Sequence, residues 1–293
     1  MRVLVTGATG FVGRHLVPEL RQHEVTCIVR DASRAADLSD AAGTALIEGD
    51  LTDPSLARRL PPRMDAVVHV AQAYVPFPSA AAELFAVNAA STVWLAEYAR
   101  EAGVGRFVYT SSGSVYAPSR MPLSESTQPS PLTFHPATKL MSEIALRHYR
   151  SDFSVAVLRL FGPYGPGQVN RLIPRLVDSV RSGSPITLSR GGEPRINPIY
   201  VVDLVRVLEA ALDDSRSYTV NVGGPQAVSI RDMAEIIAMH LGRSPDFLDQ
   251  DGEVEGDLVA DTTLMHELFG VGELIVPREG LGRMIGAGVM QAS

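Results

Sequence analysis

Three glycines spaced three residues apart, Gly7, Gly10 and Gly13, form the stretch with the clearest chemistry in this sequence. They follow an apolar run, Val3-Leu4-Val5, and precede Leu16, Val17 and Leu20 at helical spacing. A strand, a tight turn and a helix start in that order make a phosphate site. Glycine lets the backbone come close to a pyrophosphate, and the first N–H groups of the helix, at its positive end, favour an anion. Thr9, Phe11 and Val12 complete the turn, and Gly13 lets the helix pack closely on the strand. A turn that merely needs small residues would use the same glycines. The strand before it and the helix after it favour dinucleotide binding.

One further stretch carries chemistry. At the end of the second apolar run stand Val29-Arg30-Asp31. An acidic residue there binds a ribose 2′-hydroxyl, whereas an arginine accommodates a 2′-phosphate. Arg30, with Arg34 nearby, favours NADP, and Asp31 keeps NAD open. The alternative for Arg30 is a solvated loop residue paired with Asp31. No His/Cys/Asp cluster has metal-ligand spacing, so no metal is assigned.

These residues need a scaffold, and 293 residues suffice for a doubly wound sheet with a small second lobe. A net charge of −7 gives no footprint for nucleic acid. Cys27 is the only cysteine and reads as a buried thiol in the second strand. No stretch has the length or flanks of a signal peptide or membrane span, so the expected setting is a reducing cytoplasm.

Strands are expected at Val25–Val29, Ala45–Glu48, Asp65–Val70, Arg106–Thr110 and Ser154–Leu158, alternating with helices. The first helix should end near Gln22, and Asp53 and Pro54 should start another. One long alanine-rich helix should run from about Ser79 to Arg100, and another from Pro136 through Tyr149. This alternation predicts an α/β fold, a Rossmann parallel sheet covered on both faces. Ala117–Thr133, rich in Pro and Ser, reads as loop. After Arg159 the pattern changes to helices at Leu172–Arg181, Val201–Leu212 and Ser229–Leu241, with Ser229 as N-cap and Asp232 at N3. Short strands are expected near Pro185–Leu188, Arg195–Tyr200 and Tyr218–Val222, and weaker helices near Thr262–Leu268 and Pro277–Ile285. The reading is a Rossmann domain over 1–160, also receiving later segments at about 196–222, and a mainly substrate-binding lobe over 161–293.

Along its whole length the sequence resembles the NAD(P)-dependent epimerase/dehydratase branch of the extended short-chain dehydrogenases/reductases, many of which act on sugar nucleotides. The matching pieces include Thr6–Gly13, Gly49–Leu51, His69–Ala71, Val87-Asn88, Ser111–Tyr116, Lys139, Arg159–Pro166, Arg195–Asp203 and Tyr218–Gly223. By this resemblance Asp50 and Leu51 lie against the adenine, with a strand-end cap as the alternative for Asp50. Val70, Ala71, Asn88 and Thr110 line the cofactor groove. Lys139 holds the nicotinamide ribose, and Ser112 hydrogen-bonds the substrate oxygen. The family's acid/base is a tyrosine four residues before the lysine, and here that position holds His135. Beside the Lys139 ammonium its neutral form is favoured, ready to take or give the substrate proton; the alternative is that proton transfer has been lost.

Tyr74 and Ser114 are expected beside the substrate, Tyr74 facing the nicotinamide pocket where it could supply a phenol; the alternative for Tyr74 is an aromatic that only packs against the cofactor or closes the cleft. Arg195 matches an arginine that grips the diphosphate, Asn197 replaces an aspartate of that motif, and Gly162 replaces an asparagine that contacts the sugar. The implied activity is epimerase, dehydratase or reductase chemistry on a sugar nucleotide or related phosphorylated metabolite. An NADPH-dependent ketone reductase of a small metabolite and a redox-inactive NAD(P)-binding sensor or scaffold are the alternatives. A homodimer through the Ser79–Arg100 helix and the Lys139 helix is also implied.

Overall fold

A computed structural model of the chain describes residues 1–39, 43–189, 192, 194–251 and 256–290. In chain order, β1 (Arg2–Thr6) runs through the glycine turn into α1 (Phe11–Glu19). β2 (Glu24–Val29) leads through a 3₁₀ turn to α2 (Ala36–Ser39) and β3 (Thr44–Glu48). A second 3₁₀ turn (Pro54–Arg59) precedes β4 (Ala66–His69). Then α3 (Ala81–Phe85) passes through a π-helical turn (Ala86–Ala90) into α4 (Ser91–Glu101) and β5 (Arg106–Ser112). α5 (Phe134–Arg147), β6 (Ser154–Leu160), α6 (Leu172–Ser182), β7 (Ile186–Ser189), α7 (Val201–Asp213) and β8 (Tyr218–Val222) follow. The chain closes with α8 (Ile230–Leu241), β9 (Phe247–Gln250), α9 (Thr263–Phe269) and α10 (Pro277–Met290).

Seven strands form one parallel sheet in the order β3-β2-β1-β4-β5-β6-β8. The order reverses at β1, with β2 on one side and β4 on the other. Ligands bind doubly wound sheets outside the carboxyl ends of the strands at such a point, and the glycine turn leaves β1 there. The chain divides into two compact units. One comprises Met1–Val115, Pro129–Arg159 and Val205–Val220, and the other Tyr116–Gln128, Leu160–Leu204 and Asn221–Ser293.

The first unit's core sets Leu4, Val67, Phe107 and Val155 from four strands against Leu95, Ala96 and Ala99 of α4. The second unit's core joins α6, α8 and α10 through Leu176, Met233, Ile237 and Leu281. Its sheet is a two-stranded parallel ladder of β7 and β9. Ser229 caps α8 in a capping box with Asp232, and Asp53 caps the Pro54 turn as its side chain accepts from the Ser55 N–H.

The helix expected to start at Asp53 and Pro54 is only a 3₁₀ turn, and the structure departs from the sequence reading in further places. α1 ends at Glu19 rather than near Gln22, because the Leu20 N–H reaches back to the Leu16 and Val17 carbonyls and tightens the last turn. The expected long helix is interrupted by the π turn at Ala86–Ala90. There the Asn88 carbonyl accepts from Ser142 Oγ of α5, an outside partner for a group a regular helix would use itself. Arg195–Tyr200 is no strand but isolated bridges at Ile196 and Tyr200. Pro198 has no N–H to give, and the Asn197 side chain makes the intervening bonds. β9 is a strand without a sequence signal, since Phe247–Gln250 holds two polar residues and no β-branched one.

Candidate functional site

The phosphate cradle follows from the glycine positions. Gly7 has φ +73°, which favours glycine, and a Cβ there would sit 2.7 Å from the Ala71 backbone. A Cβ at Gly13 would lie 2.2 Å from the Gly7 carbonyl oxygen, so only glycine lets α1 approach the turn this closely. The Gly10 N–H donates back to the Gly7 carbonyl, and Arg14 N–H to Gly10 O is the next bond. The N–H groups of Phe11, Val12 and Gly13 therefore precede the helix's own ladder. Such a cradle fits a dinucleotide pyrophosphate.

Behind the turn, Thr6 Oγ1 lies 2.6 Å from Nδ1 of the fully buried His69 and accepts from the Ala71 N–H. Nε2 of His69 meets Thr92 Oγ1 at 3.2 Å. β1, β4 and α4 are thus tied at one imidazole, which burial pushes down to about 3, keeping it neutral. Thr110 Oγ1 donates to the His69 carbonyl. The Asn88 side chain accepts from the Ala73 N–H and donates to the Ala73 carbonyl and to Thr138, holding the segment after β4 against α5.

Asp50 is exposed, and its Oδ1 accepts from the Thr52 N–H in the manner of a cap. The Leu51 carbonyl accepts from the Trp94 indole, which fixes this strand end on α4. Val70 is half-buried and Ala71 buried. At the end of β2, Arg30 is exposed, while Asp31 accepts from the Ser33 N–H and hydroxyl and pairs with Arg34 at 3.9 Å. Cys27 is buried, and burial pushes its thiol up to about 12, an unreactive state.

The expected proton-transfer residues sit on neighbouring elements. Ser112 ends β5, and its Oγ accepts from the N–H of exposed Ser114 at 3.1 Å. His135 is half-buried in the first turn of α5, its ring edge-to-face with the exposed Tyr74 at 5.2 Å between centroids. Phe77 stacks on Phe134 at 5.0 Å, a second aromatic contact between the same loop and helix start. One turn after His135, Lys139 is 1% exposed, with Nζ 4.5 Å from the Tyr109 ring centroid. Burial pushes its amine down to about 7, against the pull of Glu143. Lys139 is also the only lysine in the sequence, every other Lys-or-Arg position being arginine.

Sequence reading missed what lies beneath this station. Glu143, one turn beyond Lys139, pairs with Arg159 of β6 at 2.6 Å, the two side chains being 2% and 4% exposed. Ser111, the neighbour of Ser112, donates to the same carboxylate at 2.5 Å. A glutamate on the buried face of an amphipathic helix is the signal that could have found it.

The second unit carries Gly162, exposed at φ +50°, and Arg195, whose side chain is exposed. The Arg195 backbone N–H donates to Asp257 Oδ1. Asn197 is a buried clamp: Nδ2 donates to the carbonyls of Gly224 and Ala260, and Oδ1 accepts from the Ala260 N–H. An aspartate has no N–H to give those two carbonyls, so the amide suits this packing. Among the described residues no group of His, Cys, Asp and Glu could hold a metal ion. No described helix is long and apolar enough to cross a membrane.

The chain is similar to a Bacillus subtilis (strain 168) protein named "Uncharacterized UDP-glucose epimerase YtcB", at 30% identity over 264 residues, 83% of each chain. It is similar also to dTDP-4-dehydro-6-deoxy-D-allose reductase of Streptomyces bikiniensis, at 30% identity over 82% of this chain and 81% of that one. Among solved structures, MoeE5 in complex with UDP-glucuronic acid and NAD superposes with a TM-score of 0.87 at 31% identity, over 99% of this chain and 100% of that chain. The pattern of the NAD dependent epimerase/dehydratase family matches residues 3–223. With the glycine cradle, the seven-stranded sheet and Lys139 in place, the chain belongs to the NAD dependent epimerase/dehydratase family.

Proposed function

We propose that this protein is an NAD(P)-dependent enzyme that changes the oxidation state of a hydroxyl or keto carbon on a sugar nucleotide, with His135 moving the proton at the reacting oxygen. The observation that carries this reading is the one lysine of the chain, buried one helical turn from His135 and beside the strand that ends at Ser112. Relatives named as an epimerase and a ketosugar reductase support the substrate class. Epimerisation, dehydration and reduction all need a proton moved at such an oxygen.

When bound, a nicotinamide cofactor supplies or takes up hydride. Gly7, Gly10 and the first-turn N–H groups of α1 would hold its pyrophosphate, and Asp50, Leu51, Val70, Ala71, Asn88 and Thr110 would line the rest of the groove. Lys139 would bind the nicotinamide ribose. The Ser112 hydroxyl would donate a hydrogen bond to the substrate oxygen. His135 would take the proton from that oxygen in oxidation and return it in reduction. Tyr74 and Ser114 would border the sugar, and Arg195 would grip the diphosphate, as a guanidinium does bidentately. Gly162 would leave open the space that an asparagine side chain fills in relatives. Arg30 and Arg34 favour NADP over NAD, although MoeE5 was solved with NAD.

The test is a pair of variants assayed with UDP-glucose and UDP-glucuronic acid. His135→Ala should lower kcat by about a hundredfold or more, the usual contribution of a positioned acid/base, and leave NADH affinity nearly unchanged. His135→Tyr should retain or raise activity and move the pH optimum. Turnover by the alanine variant at the parent rate would refute histidine catalysis.

A further inference from the structure

Three elements of the first unit meet at one carboxylate. Glu143 of α5 accepts from Ser111 Oγ of β5 at 2.5 Å and from Arg159 Nε and Nη2 of β6 at 3.0 and 2.6 Å. Both charged side chains are almost completely buried. Such a pair is a poor stabiliser, because desolvation consumes most of the attraction, and apolar residues of like volume often do as well. Its placement gives another account. Ser111 directly precedes Ser112, and Glu143 lies one turn from Lys139 on the same helix, a spacing at which side chains interact.

The titratable groups around Lys139 come from α5 and from the strands beneath it, while the π turn and α4 present Asn88 and Thr92, which do not titrate. On α5 itself these are His135, one turn before it, and Glu143, one turn after; β5 contributes the Tyr109 ring and β4 the neutral His69, while the Arg159 guanidinium of β6 bears on the group through its pair with Glu143. Among the described residues, Glu143 is the carboxylate that bears on the amine. Unlike the arginines used elsewhere, a lysine can lose its proton here, since an arginine would stay charged. This chain uses arginine everywhere else.

We propose that Glu143 is a positioning residue that acts through Lys139: fixed by Arg159 and Ser111, its carboxylate supplies the counter-charge that holds the lysine ammonium in its buried place. The functional part of this inference rests on Lys139 as the residue that binds the nicotinamide ribose. Arg159 sets the strength of the effect, because it shares the same carboxylate. Removing the two partners of the pair therefore moves Lys139 in opposite directions, which loss of packing alone does not do.

Because Lys139 is the sole lysine, full-length protein grown on lysine labelled with 13C at Cε and 15N at Nζ gives one side-chain NMR signal. It is titrated without cofactor from about pH 5 to 10. The parent should show one transition near 7. Glu143→Gln leaves the Arg159 cation without its counter-charge and should move the midpoint down by about one unit or more, so that at pH 8 the charged fraction falls about tenfold. Arg159→Met should move it up. The double variant Glu143→Gln/Arg159→Met, which removes both charges of the pair together, should fall between the parent and Glu143→Gln. If Glu143→Gln does not fold, Arg159→Met and the double variant still give the order. Coincident midpoints in all folded variants would overturn the proposal and leave the pair a packing feature. NADH affinity, measured alongside, separates the underlying reading: if Lys139→Met binds NADH like the parent while the titrations shift as expected, the role at the ribose fails and the Glu143 coupling stands.

Discussion

At the scale of single residues, His69 shows how burial fixes a protonation state. Its imidazole sits between Thr6 and Thr92 with no exposed surface, and burial lowers it from 6.5 to about 3. Between those values the unfolded chain takes up a proton that the folded chain refuses. Protons therefore favour unfolding, and stability falls as pH drops through 6.5 towards 3, by up to about 1.4 kcal/mol per pH unit for one group. Lys139 has the same sign in another window: its folded value near 7 lies below the unfolded 10.5, so its contribution improves as pH rises from 7 to 10.5. His69→Gln should lower stability overall but flatten its dependence on pH between 6.5 and 4. Urea denaturation across that range gives the slope, and an unchanged slope would remove His69 from the account of acid sensitivity. Arg30 belongs at this scale too. If it meets a 2′-phosphate, Arg30→Ala should weaken NADPH binding about tenfold, as loss of one charged hydrogen bond does, and leave NADH unaffected. Equal loss for both cofactors, or none, would return Arg30 to the solvent.

At the scale of elements, the glycine turn and the second unit make opposite demands on glycine. Gly13 faces backbone on two sides, and a methyl carbon added there would stand 2.2 Å from Gly7 O and 2.6 Å from Ala8 Cα. Neither can yield without moving the strand or the turn. Gly13→Ala should thus cost roughly 1–3 kcal/mol or more and abolish NADH binding, read by thermal melting and fluorescence titration. Gly162, at φ +50°, would meet only ordinary contacts at 3.4 Å and beyond. Asparagine tolerates that backbone region well, so Gly162→Asn should change stability by less than about 1 kcal/mol. A large loss of stability there would show that the position demands glycine. This contrast marks what was legible in the sequence. The β1 turn could be read because strand, glycines and helix are contiguous, and α8 because its capping box is local. The π turn at Asn88, the Asn197 clamp and the Glu143–Arg159 pair depend on partners distant in sequence, and no local pattern announces them. His135 could be found through the family resemblance, four residues before Lys139, but its contact with Tyr74 comes from a loop about sixty residues earlier.

At the scale of the whole molecule, the question is what covers the outer faces of α4 and α5. The two helices lie side by side, joined by Ser142 to Thr92 at 3.0 Å, and Tyr149, two residues past the end of α5, donates to Glu97 of α4 at 2.5 Å. Their inner faces are buried, yet Val93, Met141 and Ile144 remain 43%, 43% and 47% exposed. One exposed apolar side chain needs no explanation. Three on two adjacent helices fit a self-complementary patch, and a two-fold interface would pair each helix with its copy. We therefore expect a homodimer built from α4 and α5. A glutamate in the middle of such a patch would be buried without a partner, so Ile144→Glu should yield monomer at concentrations where the parent is dimeric, with little change in the protomer's own melting. Each chain carries a net charge of −7, and two such chains repel one another until salt screens them. Association should therefore tighten as salt is raised, the opposite of an interface held by ion pairs. Sedimentation velocity at low and high salt tests both statements: a parent that stays monomeric at micromolar concentration in either condition would rule out this interface, and a dimer unaffected by Ile144→Glu would place it elsewhere.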